Sequence, residues 1–348
     1  ALDKSSPLFV AIENQNLSAM QVLIDANAPL EALDRPSPLC VAMQKQNIPA
    51  MRVLLDAKAA TDIPGTEYGS EVVSCAVHIA MQYQNDNVLR LLLDVNPSLA
   101  SNQRSTELLG TLYIQQSFST LELLLEKRAS VDGAYVGMNH LFYQTVLDHR
   151  TQIIRLMIDA KANVNLIGRD WNETPLILAS RQRYRDIVEL LLEAKANLNA
   201  KDRNGYTPLC HAVDVLRGPV NQYSVDTSIV KMLVDAKAPL ENSALRAAIN
   251  RRQPAVVKIL VDAKANLRVK DRRGETLLTI AVKNRLTSIV DILLTAEPAL
   301  LRHCDSSGQT AFMLAVLKYP PPEDSCIVRM LLEHAWVHCA PDSKDDDP

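Results

Sequence analysis

The chain has 348 residues, 47% of them hydrophobic and 22% charged, with a formal net charge of −3 and only ten glycines. That apolar content excludes a disordered chain, and no apolar run approaches the roughly 20 residues needed to span a bilayer. Six scattered cysteines (Cys40, Cys75, Cys210, Cys304, Cys326, Cys339) include no C-x-x-C pair, and a secreted disulfide scaffold would be shorter and denser in Cys, which points to a reduced, intracellular protein. The cytoplasm is the expected compartment, with the nucleus as the alternative.

In chain order, one pattern recurs: two aliphatics, an acid, then Ala-Lys-Ala or a variant. It begins at Leu23-Ile24-Asp25 and Leu54-Leu55-Asp56, weakens around Leu92 and Leu124, and returns at Met157-Ile158-Asp159 and Leu191-Leu192-Glu193. Further copies stand at Leu233-Val234-Asp235 and Leu260-Val261-Asp262, with weaker ones at Leu293 and Leu331. Positions 23 to 331 thus hold nine intervals averaging about 34 residues, the period of a solenoid.

Each unit also carries a start signal. Ser6-Pro7-Leu8, Ser37-Pro38-Leu39, Thr174-Pro175-Leu176 and Thr207-Pro208-Leu209 place a hydroxyl at an N-cap and Pro at the first helical position. The hydroxyl accepts an orphan N–H, and Pro has none to lose. Small residues twelve positions before the aliphatic pair (Ala11, Ala42, Ala80, Ala179, Ala248, Ala281) predict close packing of a first helix. The spacing of Ile187, Val188, Leu190 and Leu191 predicts the second.

From Asn172 to Asp202, from Asp202 through Asn204-Gly205-Tyr206-Thr207-Pro208-Leu209-Cys210, and from Asp271 through Gly274-Glu275-Thr276 to Leu294, the sequence resembles the ankyrin-repeat family. The resemblance implies an all-α ankyrin-repeat solenoid of paired antiparallel helices with short β-hairpin fingers. The expected layout is one array of about ten repeats over 1–340, with subarrays 1–132 and 133–340 as a variant, followed by an acidic disordered tail, 341–348.

The family pattern is broken in places. The His of Thr-Pro-Leu-His remains only as His78, and Cys40 and Cys210 stand in for it elsewhere. Where a second helix ends and Gly is expected, the chain has Asn27, Lys58, Lys161, Lys195, Lys237 and Lys264. A left-handed residue is required there, at about 1 kcal/mol each for lysine. Finger turns also read as glycine-poor. Inserted loops lie near Pro64, Pro219 and Pro321, at positions where binding elements often occur.

No phosphate loop, nucleophile elbow or H-E-x-x-H motif is present, so neither catalysis nor a cofactor is expected. His334, His338 and Cys339, with His303 and Cys304 one repeat earlier, are the only metal-like grouping in the sequence, and their spacing does not place them on one face; no metal site is expected.

Charge separates the halves. Residues 1–170 carry 13 Lys/Arg against 18 Asp/Glu, residues 171–340 carry 23 against 18, and the last eight carry 1 against 4. Within 246–285, eleven basic residues face three acids. On the ankyrin template Arg181, Arg251 and Lys283 fall near first-helix ends, and Trp171, Tyr206, Arg272 and Arg273 fall at finger tips. These seven are the expected partner-binding residues. The expected function is a non-catalytic, monomeric scaffold or adaptor for a protein partner, with an acidic segment as the favoured chemistry. Nucleic acid is disfavoured by the net negative charge and the absence of an aromatic platform. The alternative is a regulatory or targeting arm of a larger enzyme, channel or translocated effector, which the Ala1 start mildly favours.

Overall fold

The computed structural model describes residues 7–28, 30, 38–57, 62–64, 73–75, 86–95, 109–110, 112–114, 116–129, 131–133, 135–136, 139–168, 172–214, 227–271, 273–318 and 325–339. They fall in two compact units, Ala1–Leu166 and Ile167–Pro348.

In the first unit the helices are α1 (Pro7–Glu13), α2 (Leu17–Asp25), α3 (Pro38–Gln44), α4 (Ile48–Asp56), α5 (Asp86–Val95), α6 (Phe118–Glu126), α7 (Leu141–Leu147) and α8 (Thr151–Asp159). Pairs α1/α2, α3/α4 and α7/α8 pack as neighbours, while α1 stacks on α3 and α2, α4, α5, α6 and α8 stack in turn. Asn16 and Asn47 cap α2 and α4, their side chains accepting the N–H of Ala19 (3.0 Å) and Ala50 (3.1 Å). Leu8, Ile12, Met20, Leu39, Met51 and Leu54 fill the core. The insertion near Pro64 contributes a two-stranded pair, β1 (Asp62–Pro64) antiparallel to β2 (Val73–Cys75), with Ile63 opposite Ser74. A second pair, β3 (Tyr135–Val136) with β4 (Asn139–His140), runs straight into α7. Farther along, Tyr113 donates to Asp148 at 2.5 Å, and the Arg150 guanidinium lies 4.7 Å over the Phe118 ring.

The second unit repeats one arrangement. First helices α9 (Pro175–Gln182), α11 (Pro208–Asp214), α13 (Asn242–Asn250), α15 (Leu277–Lys283) and α17 (Ala311–Lys318) pack side by side. Second helices α10 (Arg185–Glu193), α12 (Ser228–Asp235), α14 (Pro254–Asp262), α16 (Thr287–Ala296) and α18 (Ser325–Cys339) form a parallel row. A 3-10 turn, Pro298–Arg302, follows α16. Ala179, Ala212, Ala248, Ala281 and Ala315 are all buried at the centre of the first-helix row, so backbones approach where a larger side chain would hold them apart. Thr174 and Thr276 are N-caps, accepting the N–H of Ile177 (3.4 Å) and Thr279 (3.1 Å). This is the all-α solenoid of paired helices that the sequence implies.

Helix ends show the cost of the missing glycines. Asn27, Lys161, Lys195, Lys237 and Lys264 all have φ between 58° and 68°, the left-handed region; Lys58 lies outside the described residues. A second set recurs where first helices end: Gln15, Gln46, Gln116, His149, Arg183, Arg252 and Arg285 are left-handed too. Among the described residues, several helix pairs therefore carry two strained non-glycine turns.

The finger turns differ from expectation. Gly205, Gly274 and Gly308 keep positive φ at equivalent positions, and Asn172 (φ 54°) replaces glycine in the finger before them. Each glycine-bearing finger is wired alike. Asp202, Asp271 and Asp305 each accept two backbone N–H groups through Oδ1, from Asn204 and Tyr206, from Arg273 and Glu275, and from Ser307 and Gln309. One aspartate thus folds each turn, and Gly supplies the left-handed residue.

Among the described residues no helix is long and apolar enough to cross a membrane. The loops near Pro219 and Pro321 and the 341–348 tail lie outside the described residues.

Candidate partner-binding groove

The surface of the second unit between its fingers and its first helices collects most of the residues singled out from sequence. Tyr206 stands in its finger 41% exposed, and its ring meets that of His211 edge-on at 5.9 Å. Arg273 is exposed in the finger at 269–275, and its carbonyl accepts the Ser306 hydroxyl at 2.5 Å. Arg251 caps the end of α13, half-buried. Arg181 and Lys283 stand in the last turns of α9 and α15. Trp171 and Arg272 lie outside the described residues.

Two of these cations are not bare charges. The Arg181 guanidinium donates to Glu173 at 2.9 Å, and the Lys283 ammonium donates to Glu275 at 2.6 Å. Glu173 and Glu275 both stand just before the N-cap threonine, eight residues ahead of the cation they hold. The same repeat therefore supplies the cation and its counter-ion. Sequence reasoning missed both carboxylates, because on a linear template a residue before the cap reads as finger and not as groove.

His211 was missed as well. It follows Cys210 in α11, and its Nε2 lies 3.0 Å from Asp202 Oδ2. Glu173, Asp202 and His211 bring their ligand atoms within 4.8 Å of one another, with Glu173 only 3% and Asp202 only 7% exposed. Burial pushes the Asp202 carboxyl up, but the Tyr206 N–H, the His211 ring and the Asn204 N–H outweigh it and hold the group below the usual carboxylate range. Cys210, buried beneath, receives the Thr207 hydroxyl at 3.3 Å and lies 3.0 Å from the Ser243 hydroxyl, so it joins adjacent repeats as a small core residue.

A second polar cluster sits between α13 and the finger at 269–275. A cavity of about 210 Å³ there has a floor that includes Val269, Leu277 and Ile280 and polar walls of Ser243, Arg246, Lys270, Asp271 and Glu275. Asp271 is pushed up by desolvation, but the Glu275 and Arg273 N–H bonds and the Arg246 and Arg273 charges bring it below its ordinary value. Arg246 and Lys270 are exposed at the rim.

Stacked helix pairs with aspartate-folded fingers, threonine caps on several first helices and a buried alanine at their centre define a repeat solenoid. The sequence matches the family model for ankyrin repeats three times, over 115–242, 220–299 and 244–345, and the chain belongs to that family. An ankyrin-repeat protein of fowlpox virus (strain NVSL) is 29% identical over 140 residues, 39% of this chain and 73% of the viral one. Among solved structures, the ankyrin-repeat domain of Bcl-3, a member of the IkappaB protein family, aligns with a TM-score of 0.53 at 19% identity, covering 64% of this chain and 97% of that one. An ankyrin-repeat domain from Acinetobacter baumannii AYE aligns with a TM-score of 0.48 at 23% identity, over 56% of this chain and 97% of that one.

Proposed function

We propose that this chain is a non-catalytic scaffold whose partner lies across the fingers and first helices of the second unit, and that the partner contributes an acidic segment. Ankyrin repeats are protein-interaction modules in general; the particular surface and its charge preference are the proposal. The observation that carries it is the excess of cations at 246–285, eleven against three acids, combined with the exposure of Arg246 and Lys270 at the cavity beside α13 and of Arg273 in the same finger. Charge complementarity of this kind steers encounter and fixes register. Tyr206 and Trp171 serve as aromatic anchors and Arg181, Arg251, Arg272, Arg273 and Lys283 as the charged contacts. Arg181 and Lys283 act through shared hydrogen bonds, because Glu173 and Glu275 already neutralise much of their charge.

The test is an unbiased pull-down with the full chain and with the combined variant Arg251→Glu, Arg272→Glu, Arg273→Glu and Lys283→Glu. Loss of a protein captured by the native chain, with helicity retained, supports the assignment. Capture unchanged by the four reversals overturns it.

A further inference from the structure

The register of the first helices isolates one position. Four residues after the cap threonine, α9, α15 and α17 carry the buried aliphatics Leu178, Ile280 and Leu314. In α11 the same position is His211, and its ring turns toward the carboxylates of its own finger and of the repeat before. The ring also meets Tyr206 edge-on at 5.9 Å, where the neighbouring repeats place leucine or isoleucine.

What surrounds it is a ligand set. Asp202 Oδ1 is consumed by two finger N–H groups, which fixes the carboxylate and directs Oδ2 at His211 Nε2. Glu173 enters from the preceding repeat, oriented by Arg181. Two carboxylates held by outer partners and one imidazole, all largely buried, resemble the three-ligand sets in which second-shell bonds orient metal donors. The other glycine-bearing fingers lack the set. At Glu275 and Asp305 the equivalent of His211 is Leu314. Charge agrees with the geometry: Glu173 and Asp202 bring two negative charges to a poorly solvated place, and Arg181 supplies one positive.

We propose that Glu173, Asp202 and His211 form a binding site for a divalent transition metal of the zinc class. One nitrogen and two carboxylate oxygens suit Zn²⁺ or Co²⁺ better than the all-oxygen shells of Mg²⁺ and Ca²⁺. Zinc–ligand distances of about 2.0–2.2 Å require the three atoms, now within 4.8 Å of one another, to draw together on a common centre. His211 would bind through Nε2 as the neutral tautomer with its proton on Nδ1, and Asp202 keeps its finger bonds through Oδ1. Arg181 Nε, buried without a hydrogen-bond partner, is placed to donate to an oxygen ligand in the fourth position. This site stands on side-chain geometry and does not depend on the partner reading.

The experiment titrates Zn²⁺ and Co²⁺ into the tag-free, chelator-treated full chain, with calorimetric stoichiometry and the visible absorption of Co²⁺ as readouts. One equivalent is expected. His211→Leu, which installs the residue of the neighbouring repeats, and Glu173→Gln should each weaken binding at least about tenfold with circular dichroism unchanged. The double variant His334→Ala, His338→Ala should retain it. The proposal is overturned if nothing saturates at millimolar metal, if both His211→Leu and Glu173→Gln bind as the native chain does, or if binding disappears only with His334 and His338.

Discussion

Gly274 and Ser306 belong to consecutive fingers and touch: a Cβ at residue 274 would lie 2.7 Å from Ser306 Cβ and 2.8 Å from its backbone N. Gly274 also has φ +71°, so it meets two demands at once, a left-handed turn and a close approach to the next finger. Gly205, at the equivalent place with φ +80°, has nothing within 4 Å of such a Cβ. Gly274→Ala should therefore destabilise by about 2–4 kcal/mol, and Gly205→Ala by about 1 kcal/mol. Urea midpoints of the two variants measure the difference. Equal shifts would mean that the fingers yield to each other at no cost.

The lysines at the ends of second helices offer the reverse experiment. Lys161, Lys195, Lys237 and Lys264 hold φ of 58–68° without the freedom glycine has there. Each Lys→Gly change relieves left-handed strain and adds unfolded-state entropy, leaving a net gain of about 0.5–1 kcal/mol per site. The quadruple variant should melt at a higher temperature than the native chain.

Acid should loosen the fingers. Asp202 and Asp271 both have folded-state pKa values below the ordinary carboxylate value. Their contribution is therefore complete above the unfolded value near 4 (about 3.9) and is lost as pH falls through it toward the folded values. Asp202→Asn and Asp271→Asn should lower the melting temperature at pH 7. The gap to the native chain should close on acidification below about pH 4, which thermal melts across pH 2–7 would record.

Glu275 restrains Lys283. Glu275→Gln removes a negative charge from the rim of the 210 Å³ cavity while keeping a hydrogen-bonding side chain of similar size. For an acidic partner, affinity should rise several-fold at low salt and the gain should fade as ionic strength increases. Titration of the captured partner at two salt concentrations reads this directly; weaker binding by Glu275→Gln would count against an acidic contact at this place.

Much of the fold is legible along the chain because its determinants are local. The Thr-Pro-Leu caps and the lysines standing where glycine is expected are set by contacts within one or two turns of backbone, and the period of about 34 with its recurring alanines shows because each repeat meets the same kind of neighbour. Those signals sufficed for the solenoid and for placing Tyr206, Arg181, Arg251, Arg273 and Lys283 on fingers and first-helix ends. They included Gly205 and Gly274 as motif residues but did not reveal that these two and Gly308 work as a set. Each is fixed by an aspartate three residues earlier rather than by the aliphatic pattern.

What the linear sequence could not decide is which side chains meet. Glu173 is 29 residues from Asp202 and 38 from His211, and their convergence depends on the offset between successive repeats, which only the stacked helices set. The pairings of Arg181 with Glu173 and of Lys283 with Glu275 lie within one repeat, but they depend on how the finger folds back over its first helix, and they turn two apparently bare cations into neutralised pairs. Local pattern and helix propensity determined that this chain is a repeat solenoid. Tertiary packing alone decided where its charges are exposed, where they are paired, and where two carboxylates and an imidazole share one buried place.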